Sequence, residues 1–124
     1  MSPATHPRTV PHLRAQGAAT QLIVDGAPFL VLGGELHNSS ASSLAYMRPI
    51  WGRLAALGLN TVLATVSWEL VEPEEGRFDF ALVDGLVHEA RRHGLRLILL
   101  WFGSWKNGTS SYVPAWVKRD VRRF

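Results

Sequence analysis

The sequence contains no cysteine, so it can form neither disulfide bonds nor a cysteine-based metal site. It has no apolar run of the ~20 residues that a membrane-spanning helix needs. Its N-terminal region also lacks the apolar core of about 7–15 residues that is typical of a secretory signal. We therefore expect a cytoplasmic protein that does not bind a membrane.

Charged residues are sparse, at 19% of the 124 residues, and the net charge is only +3. Much of the basic excess lies towards the two ends of the chain, at Arg8, Arg14, Lys118, Arg119, Arg122 and Arg123. No basic stripe alternates with aromatic residues, as it would on a sheet that binds nucleic acid. This distribution argues against a nucleic-acid partner.

Motifs for cofactors and metals are also missing. Gly33-Gly34 has neither the GxGxxG nor the Walker spacing of a phosphate-binding loop, and residues 39–43 lack a GxSxG nucleophile elbow. His88 and His93 stand five residues apart, which is not a ligand spacing on a helix. We expect no cofactor and no metal.

The first part of the chain predicts a leader and a hairpin. We expect residues 1–19 to be a flexible N-terminal leader and residues 20–124 to form the folded unit. Two β-prone runs flank Asp25-Gly26, a strong hairpin signal, and Pro28 predicts an edge at that position. The second run, residues 29–36, is too apolar to alternate and predicts a strand covered on both faces.

Two helices and two more strands follow. Pro49 fits only the first turn of a helix, so the first helix is expected to begin near Arg48 or Pro49, and Gly58 is placed to end it. Residues 61–67 predict a buried strand and residues 95–102 another.

Between these two strands, Asp79 can cap a helix over residues 80–93. The three strands begin about 32 and 35 residues apart, which is the spacing of consecutive βαβ units. The sequence therefore predicts an α/β fold with three parallel strands and two helices, preceded by a β-hairpin strand.

Polar and aromatic residues follow the carboxyl end of each predicted strand, whereas the opposite ends are plain. Sites in parallel α/β folds are built at the carboxyl ends of the strands. Indole rings together with carboxylate, amide and amine groups suit a sugar, which has an apolar face and a rim of hydroxyls. The candidate substrate-binding residues are Glu35, His37, Asn38, Trp68, Glu69, Trp105, Lys106 and Asn107.

Each of these residues can also be explained without a role in substrate binding. Trp68 and Trp105 are equally compatible with core positions, and Glu35 with His37 is compatible with a polar pair under a loop. Lys106 also reads as a loop charge, and Asn107-Gly108 as a turn. Three further acidic residues, Glu72, Glu74 and Glu75, are expected to lie in a solvated loop.

Three blocks of sequence resemble the beginning of a glycoside hydrolase family 35 catalytic domain, in its bacterial β-galactosidase branch. They are FLVLGGELHNSSASS, LGLNTVLATVSWELVEPEEGRFDF and LWFGSWKNGTSSYVPAWV. The resemblance covers about residues 12–124 and implies the first three parallel strands of a (β/α)8, or TIM, barrel. It also implies a retaining hydrolase of terminal β-galactosides, with an oligosaccharide or polysaccharide as substrate.

The family's acid/base glutamate follows an asparagine after the fourth strand, and its nucleophile ends the seventh. No Asn-Glu dipeptide occurs in this sequence. We therefore assign no catalytic residue and expect an inactive N-terminal fragment. Glu35 and Glu69, on neighbouring strands, do not face each other across a sugar and are not assigned as a catalytic pair.

The sequence departs from the family pattern after the second strand. Many members have Trp-Asn there, whereas this chain has Trp68-Glu69, and the usual Glu-Trp of the strand-three loop is Ser104-Trp105. Two alternatives remain open: a family 42-like or other β-glycosidase barrel fragment, and a non-catalytic carbohydrate-binding protein. The oligomeric state is not predicted.

Overall fold

The computed structural model describes residues 10–124, which fall into two compact units separated between Val31 and Leu32. The first unit contains three antiparallel strands in the order β1-β2-β3. They are β1 (His12–Gln16), β2 (Ala19–Val24) and β3 (Ala27–Pro28). No helix of the described residues is long and apolar enough to cross a membrane.

The hairpin predicted at Asp25-Gly26 is confirmed. Asp25 and Gly26 both have positive φ angles, 50° and 82°, as a two-residue turn of the primed type requires. Pro28 lies on β3, an edge strand of this sheet, where its missing N–H is tolerated.

The expectation of a flexible leader over residues 1–19 differs from the structure at residues 12–16. These residues form β1, which pairs with β2 from His12–Ile23 to Gln16–Ala19. Backbone hydrogen bonds to β2 stabilise this segment, and its side chains are exposed. The hydrophobicity of the sequence therefore does not indicate a strand here. Residues 1–9 of the expected leader lie outside the described residues.

The second unit contains a three-stranded parallel sheet in the order β4-β5-β6, with helices connecting its strands. The strands are β4 (Gly33–Glu35), β5 (Thr61–Ser67) and β6 (Arg96–Phe102). The helices are α1 (Leu44–Ala56), α2 (Trp68–Val71), α3 (Ala81–Arg92) and α4 (Ala115–Arg119), and a 3₁₀ turn spans Ser40–Ser42.

β4 is shorter than the strand predicted over residues 29–36. Leu30, Val31 and Leu32 are 76%, 40% and 51% exposed, so the expectation that this run is covered on both faces is wrong. In contrast, β5 has the predicted bounds. The third strand is predicted over residues 95–102, and β6 covers all of these residues except the first, Leu95.

Helix α1 begins before the predicted position. The Ser43 side chain accepts a hydrogen bond from the Tyr46 backbone N–H, so the N-cap lies at Ser43 and Pro49 stands inside the helix. A good cap contributes about 1 kcal/mol, and it starts the helix one turn earlier than the proline rule suggests. At the other end Gly58, with φ of 78°, donates its N–H to the Ala55 carbonyl, as predicted.

The core of the second unit lies between the sheet and the two long helices. Trp51 and Met47 of α1 and Leu86 of α3 are fully buried against Val62 and Ala64 of β5. Val62 and Ala64 alternate with Leu63, which therefore points to the other face of the sheet. The N-cap of α3 is Phe80, without a side-chain cap hydrogen bond, so the prediction that Asp79 is the cap is one residue out. Asp79 precedes the cap, and its Oδ1 accepts the N–H of Ala81, the first residue of α3, at 2.9 Å.

Arg123 links the C-terminal segment to the loop that follows α2. Its guanidinium donates hydrogen bonds to both carboxylate oxygens of Glu75 and lies 4.9 Å from the ring centroid of Phe124. This hydrogen bonding lowers the pKa of Glu75 and raises the pKa of Arg123. Both groups are exposed, so water and salt screen the pair.

Gly52 lies inside α1 and Gly58 follows its C-terminal end. Replacing each of them by alanine should change the free energy of unfolding in opposite directions. Gly52 is exposed in the helix, and a Cβ there would meet nothing within 4 Å. We expect Gly52→Ala to raise the free energy of unfolding by about 0.5–1 kcal/mol. Gly58→Ala should lower it by about 1 kcal/mol, because its φ of 78° strains a side chain. Urea denaturation followed by circular dichroism measures both, and equal signs would contradict the assignment of α1.

Removing the Arg123 guanidinium should raise the Glu75 pKa towards its ordinary value, and NMR titration of the carboxyl carbon measures this. The pKa of Glu75 is lower in the folded chain than in the unfolded chain. The ion pair therefore stabilises the fold at pH values above the unfolded-state pKa, and this stabilisation is lost as the pH falls through the folded-state pKa. Arg123→Gln should therefore weaken the acid dependence of stability. The control is Arg77→Gln, which removes the ion-pair partner of Glu74 and should leave the pKa of Glu75 unchanged.

Candidate functional site

The register of β5 and β6 sets which residues share an edge of the sheet. The two parallel strands pair from Thr61–Arg96 to Ser67–Phe102, so their carboxyl ends are level. Trp68 follows Ser67 directly, and Trp105 stands three residues after Phe102. Both tryptophans therefore lie at the same end of the sheet, as the sequence analysis expects.

The residues of the first strand lie at different heights. Glu35 pairs with Leu63, four residues before the end of β5, which is about 13 Å lower along the strand. Since it shares the register of Leu63, Glu35 is on the face opposite α1 and α3. It is thus farther from the edge than the sequence analysis supposes. His37 is exposed, and its carbonyl accepts the Ser40 N–H at 3.0 Å.

Asn38 reaches the level of the β5 end. It lines a small cavity together with Thr65 and Ser67 of β5 and with Leu70 and Asp79. The cavity has a volume of about 20 Å³, which is room for about one water molecule and not for a sugar ring. A sugar ring therefore does not fit in this cavity.

Trp68 is half-buried and held by specific contacts. Its Nε1 donates to Oε2 of Glu72 at 2.7 Å, and its ring meets that of Trp116 edge-on, with 5.9 Å between centroids. Trp116 in turn donates its Nε1–H to the Glu72 carbonyl at 3.0 Å. The expectation that Glu72 lies in a solvated loop is therefore wrong, whereas Glu74 and Glu75 are exposed.

Glu69 connects the β5 end to the segment that follows β6. Its backbone N–H donates to the Tyr112 carbonyl at 2.9 Å, and its carboxylate lies 3.5 Å from Nζ of Lys118. The two side chains are 39% and 46% exposed. An exposed pair of this kind contributes little to stability, and both groups stay accessible to a polar ligand.

The loop after β6 is a tight turn. Lys106 donates its N–H to the Ser110 carbonyl at 3.1 Å, and the intervening Asn107 and Gly108 have φ angles of 53° and 70°. The interpretation of Asn107-Gly108 as a turn is thus confirmed. Nζ of Lys106 lies 5.1 Å above the Phe102 ring. Trp105 donates its Nε1–H to the Gly108 carbonyl.

Trp105 keeps 66% of its surface exposed, so the structure does not use this indole in a core. The edge therefore offers an open indole together with amide, ammonium and carboxylate groups, which can stack on a ligand and hydrogen-bond to it. Among residues 10–124, no group of three or more histidines, aspartates or glutamates is arranged to hold a metal ion.

The sequence analysis did not assign four residues that shape this edge: Glu72, Tyr112, Trp116 and Lys118. Glu72 stands four residues after Trp68, a helical spacing that brings the two side chains together. No local pattern signals the contacts of Trp116 and Lys118, because each joins residues more than 40 positions apart.

Comparison with curated proteins shows clear relatives. A β-galactosidase from Xanthomonas manihotis is 37% identical over 128 aligned residues, which cover 96% of this chain and 20% of that protein. Human β-galactosidase-1-like protein 3 is 41% identical over 79 residues, or 61% of this chain and 12% of that protein. The chain thus spans only a small part of the relatives that it matches.

Among solved structures, an exo-β-1,4-mannosidase from Opitutaceae bacterium strain TAV5 matches with a TM-score of 0.61 and 27% identity. The match covers 73% of this chain and 18% of that one. The fold is therefore similar to part of a glycoside hydrolase.

The resemblance carried by the three sequence blocks is confirmed by a family model that matches residues 21–122, nearly the whole of the described chain. The chain belongs to glycosyl hydrolases family 35.

Proposed function

We propose that residues 20–124 form the beginning of a (β/α)8-barrel β-galactosidase and supply one side of its substrate-binding edge. The observation that carries this proposal is the level ending of β5 and β6, with Trp68 and Trp105 at the same edge of a parallel sheet. It is supported by the family match over residues 21–122 and by the β-galactosidase relative at 37% identity.

In this proposal the exposed indole of Trp105 stacks on the apolar face of the terminal galactose. Lys106, Asn107 and Glu69 lie around it and hydrogen-bond to hydroxyls of the sugar, and Asn38 and His37 complete the edge beside β4. Glu35, which lies lower on the face opposite the helices, contacts the part of the sugar that enters deepest.

The carboxylates that break the glycosidic bond come, in this proposal, from barrel strands that residues 1–124 do not include. Retaining enzymes use two carboxyl groups about 5–5.5 Å apart, one as acid/base and one as nucleophile. Glu35 and Glu69 do not provide this pair, because Glu35 is level with Leu63 and Glu69 lies beyond the end of β5. The acid/base protonates the leaving oxygen, the nucleophile forms a galactosyl-enzyme, and water releases galactose.

A β-mannosidase is the second candidate, supported by the similarity to the exo-β-1,4-mannosidase. Galactose and mannose differ in which hydroxyl is axial, so the polar residues of the edge must discriminate between them. The resemblance implies Trp-Asn at this point in many family members, and Trp68-Glu69 in this chain therefore changes one of these polar groups.

The test combines catalysis and binding by the purified chain. We expect no release of nitrophenol from an aryl β-galactoside, because the chain lacks a suitable carboxylate pair. Galactose added to the ¹⁵N-labelled chain should shift the NMR signals of Trp105, Lys106 and Asn107 more than those of α1. Mannose and glucose are the matched comparisons, and a stronger response to mannose would favour the second candidate. Nitrophenol release, or galactose shifts scattered away from the edge, would contradict the proposal.

Replacing Asn107 separates its turn role from a role in sugar binding. Asn107→Gly should preserve the turn, because glycine adopts φ of 53° without strain, and remove only the amide. We expect an unchanged Trp105 indole signal and galactose binding weakened by about tenfold or less, the range for one hydrogen bond. Asn107→Val, which is strained at positive φ, should disturb both. Full-strength binding by Asn107→Gly would remove this residue from the proposed site.

A further inference from the structure

We propose that Glu72 is a positioning residue for the substrate-binding edge, because it fixes the indole of Trp68 and, with it, that of Trp116. This inference rests on the proposed function, in which Trp68 and Trp105 share the substrate-binding edge, and extends it by placing the Trp68 ring beside the bound sugar. Glu72 lies between the two tryptophans in sequence and contacts Trp68 through its side chain and Trp116 through its backbone carbonyl.

Four hydrogen bonds converge on this one residue. Its two carboxylate oxygens accept from different donors, Oε2 from Trp68 Nε1 at 2.7 Å and Oε1 from the Gly76 N–H at 2.8 Å. Its carbonyl accepts from Trp116 Nε1 at 3.0 Å, and its own N–H donates to the Trp68 carbonyl at 2.8 Å. Glu72 therefore ties α2, the following loop and α4 together at the end of β5.

The contact with Trp68 is stronger than an ordinary surface hydrogen bond for two reasons. The acceptor is a carboxylate, and hydrogen bonds to ionised groups are shorter and about twice as strong as neutral ones. Both partners are also half-buried, so water competes less for the indole N–H. The edge-to-face contact between Trp68 and Trp116, with an interplanar angle of 88°, adds a second restraint on the ring.

The indole nitrogens of Trp68 and Trp116 already have hydrogen-bond acceptors, which limits how the two rings can bind a sugar. The N–H groups of Trp68 and Trp116 both donate to Glu72, so neither is available to a sugar hydroxyl. Trp68 then acts on a sugar through its ring alone, as an apolar wall of fixed orientation. The hydroxyls are left to the neighbouring polar groups, among them the Glu69 carboxylate at the same edge.

The substitution Glu72→Gln tests this arrangement with almost no change of volume. Both carboxylate oxygens accept N–H groups, whereas a glutamine offers one oxygen and one NH₂ group. In the variant, one donor must face another donor, either at Trp68 or at Gly76. Glu74→Gln is the matched control, since Glu74 lies in the same loop but pairs with the exposed Arg77 and contacts neither indole.

The measurement is an NMR spectrum of the chain with ¹⁵N-labelled tryptophan, with and without galactose. We expect the Trp68 indole signal to move in Glu72→Gln and to stay in place in Glu74→Gln, while Trp105 is unchanged in both. Galactose should bind about tenfold more weakly to Glu72→Gln than to the control. Equal far-UV circular dichroism of the two variants shows that the difference is not a loss of fold.

Each other result has a defined meaning. An unmoved Trp68 signal in Glu72→Gln overturns the inference, as does a moved signal with unchanged galactose affinity. No galactose binding to the unmodified chain overturns the proposed function instead, and the inference with it. Glu72→Asp, with a shorter carboxylate, serves if Glu72→Gln does not fold. If neither variant folds but Trp68→Phe does, Glu72 is a structural residue and the inference is overturned.

Discussion

The parallel pairing of β5 with β6 is the constraint on which the arrangement of the second unit depends. Seven consecutive residue pairs, from Thr61–Arg96 to Ser67–Phe102, bring two strand ends to the same level. Side chains that are more than 30 residues apart in sequence thereby meet at one edge. The core beneath, from Trp51 to Leu86, needs the same register because Val62 and Ala64 must face the helices together.

The edge is braced by the chain segment that follows β6. Tyr112, Trp116 and Lys118 all contact α2 or the residue that ends it, Glu72, through a backbone hydrogen bond, an indole hydrogen bond and an ion pair. Two tryptophans at this edge thus have different surroundings. Trp68 is fixed between Glu72 and Trp116, whereas Trp105 on the tight turn stays largely exposed. A rigid ring beside an accessible one suits a ligand with one apolar face.

Local signals in the sequence were sufficient where a single residue type decides the backbone. Asp25-Gly26 and Gly58 have positive φ angles that glycine favours, and Asp79, one residue before the N-cap, accepts the first N–H of α3. The start of α1 was not predictable from Pro49 alone, since the Ser43 cap outweighs the hydrogen bond that proline cannot make. The role of Glu72 was missed because, in the sequence, a solvated acidic residue and a half-buried hydrogen-bond acceptor look alike. The contact that distinguishes them comes from Trp116, 44 residues away.

Leu99 and Trp101 of β6 are 44% and 59% exposed, and Ile98 on the opposite face is 42% exposed. β6 pairs with β5 on one side only, and no strand of residues 10–124 flanks it on the other. An apolar strand with an open side is a template for any extended segment it meets. Aggregation of the purified chain should therefore depend on its concentration. At high concentration the open side of β6 favours edge-to-edge association and precipitation, and at low concentration the molecules stay apart.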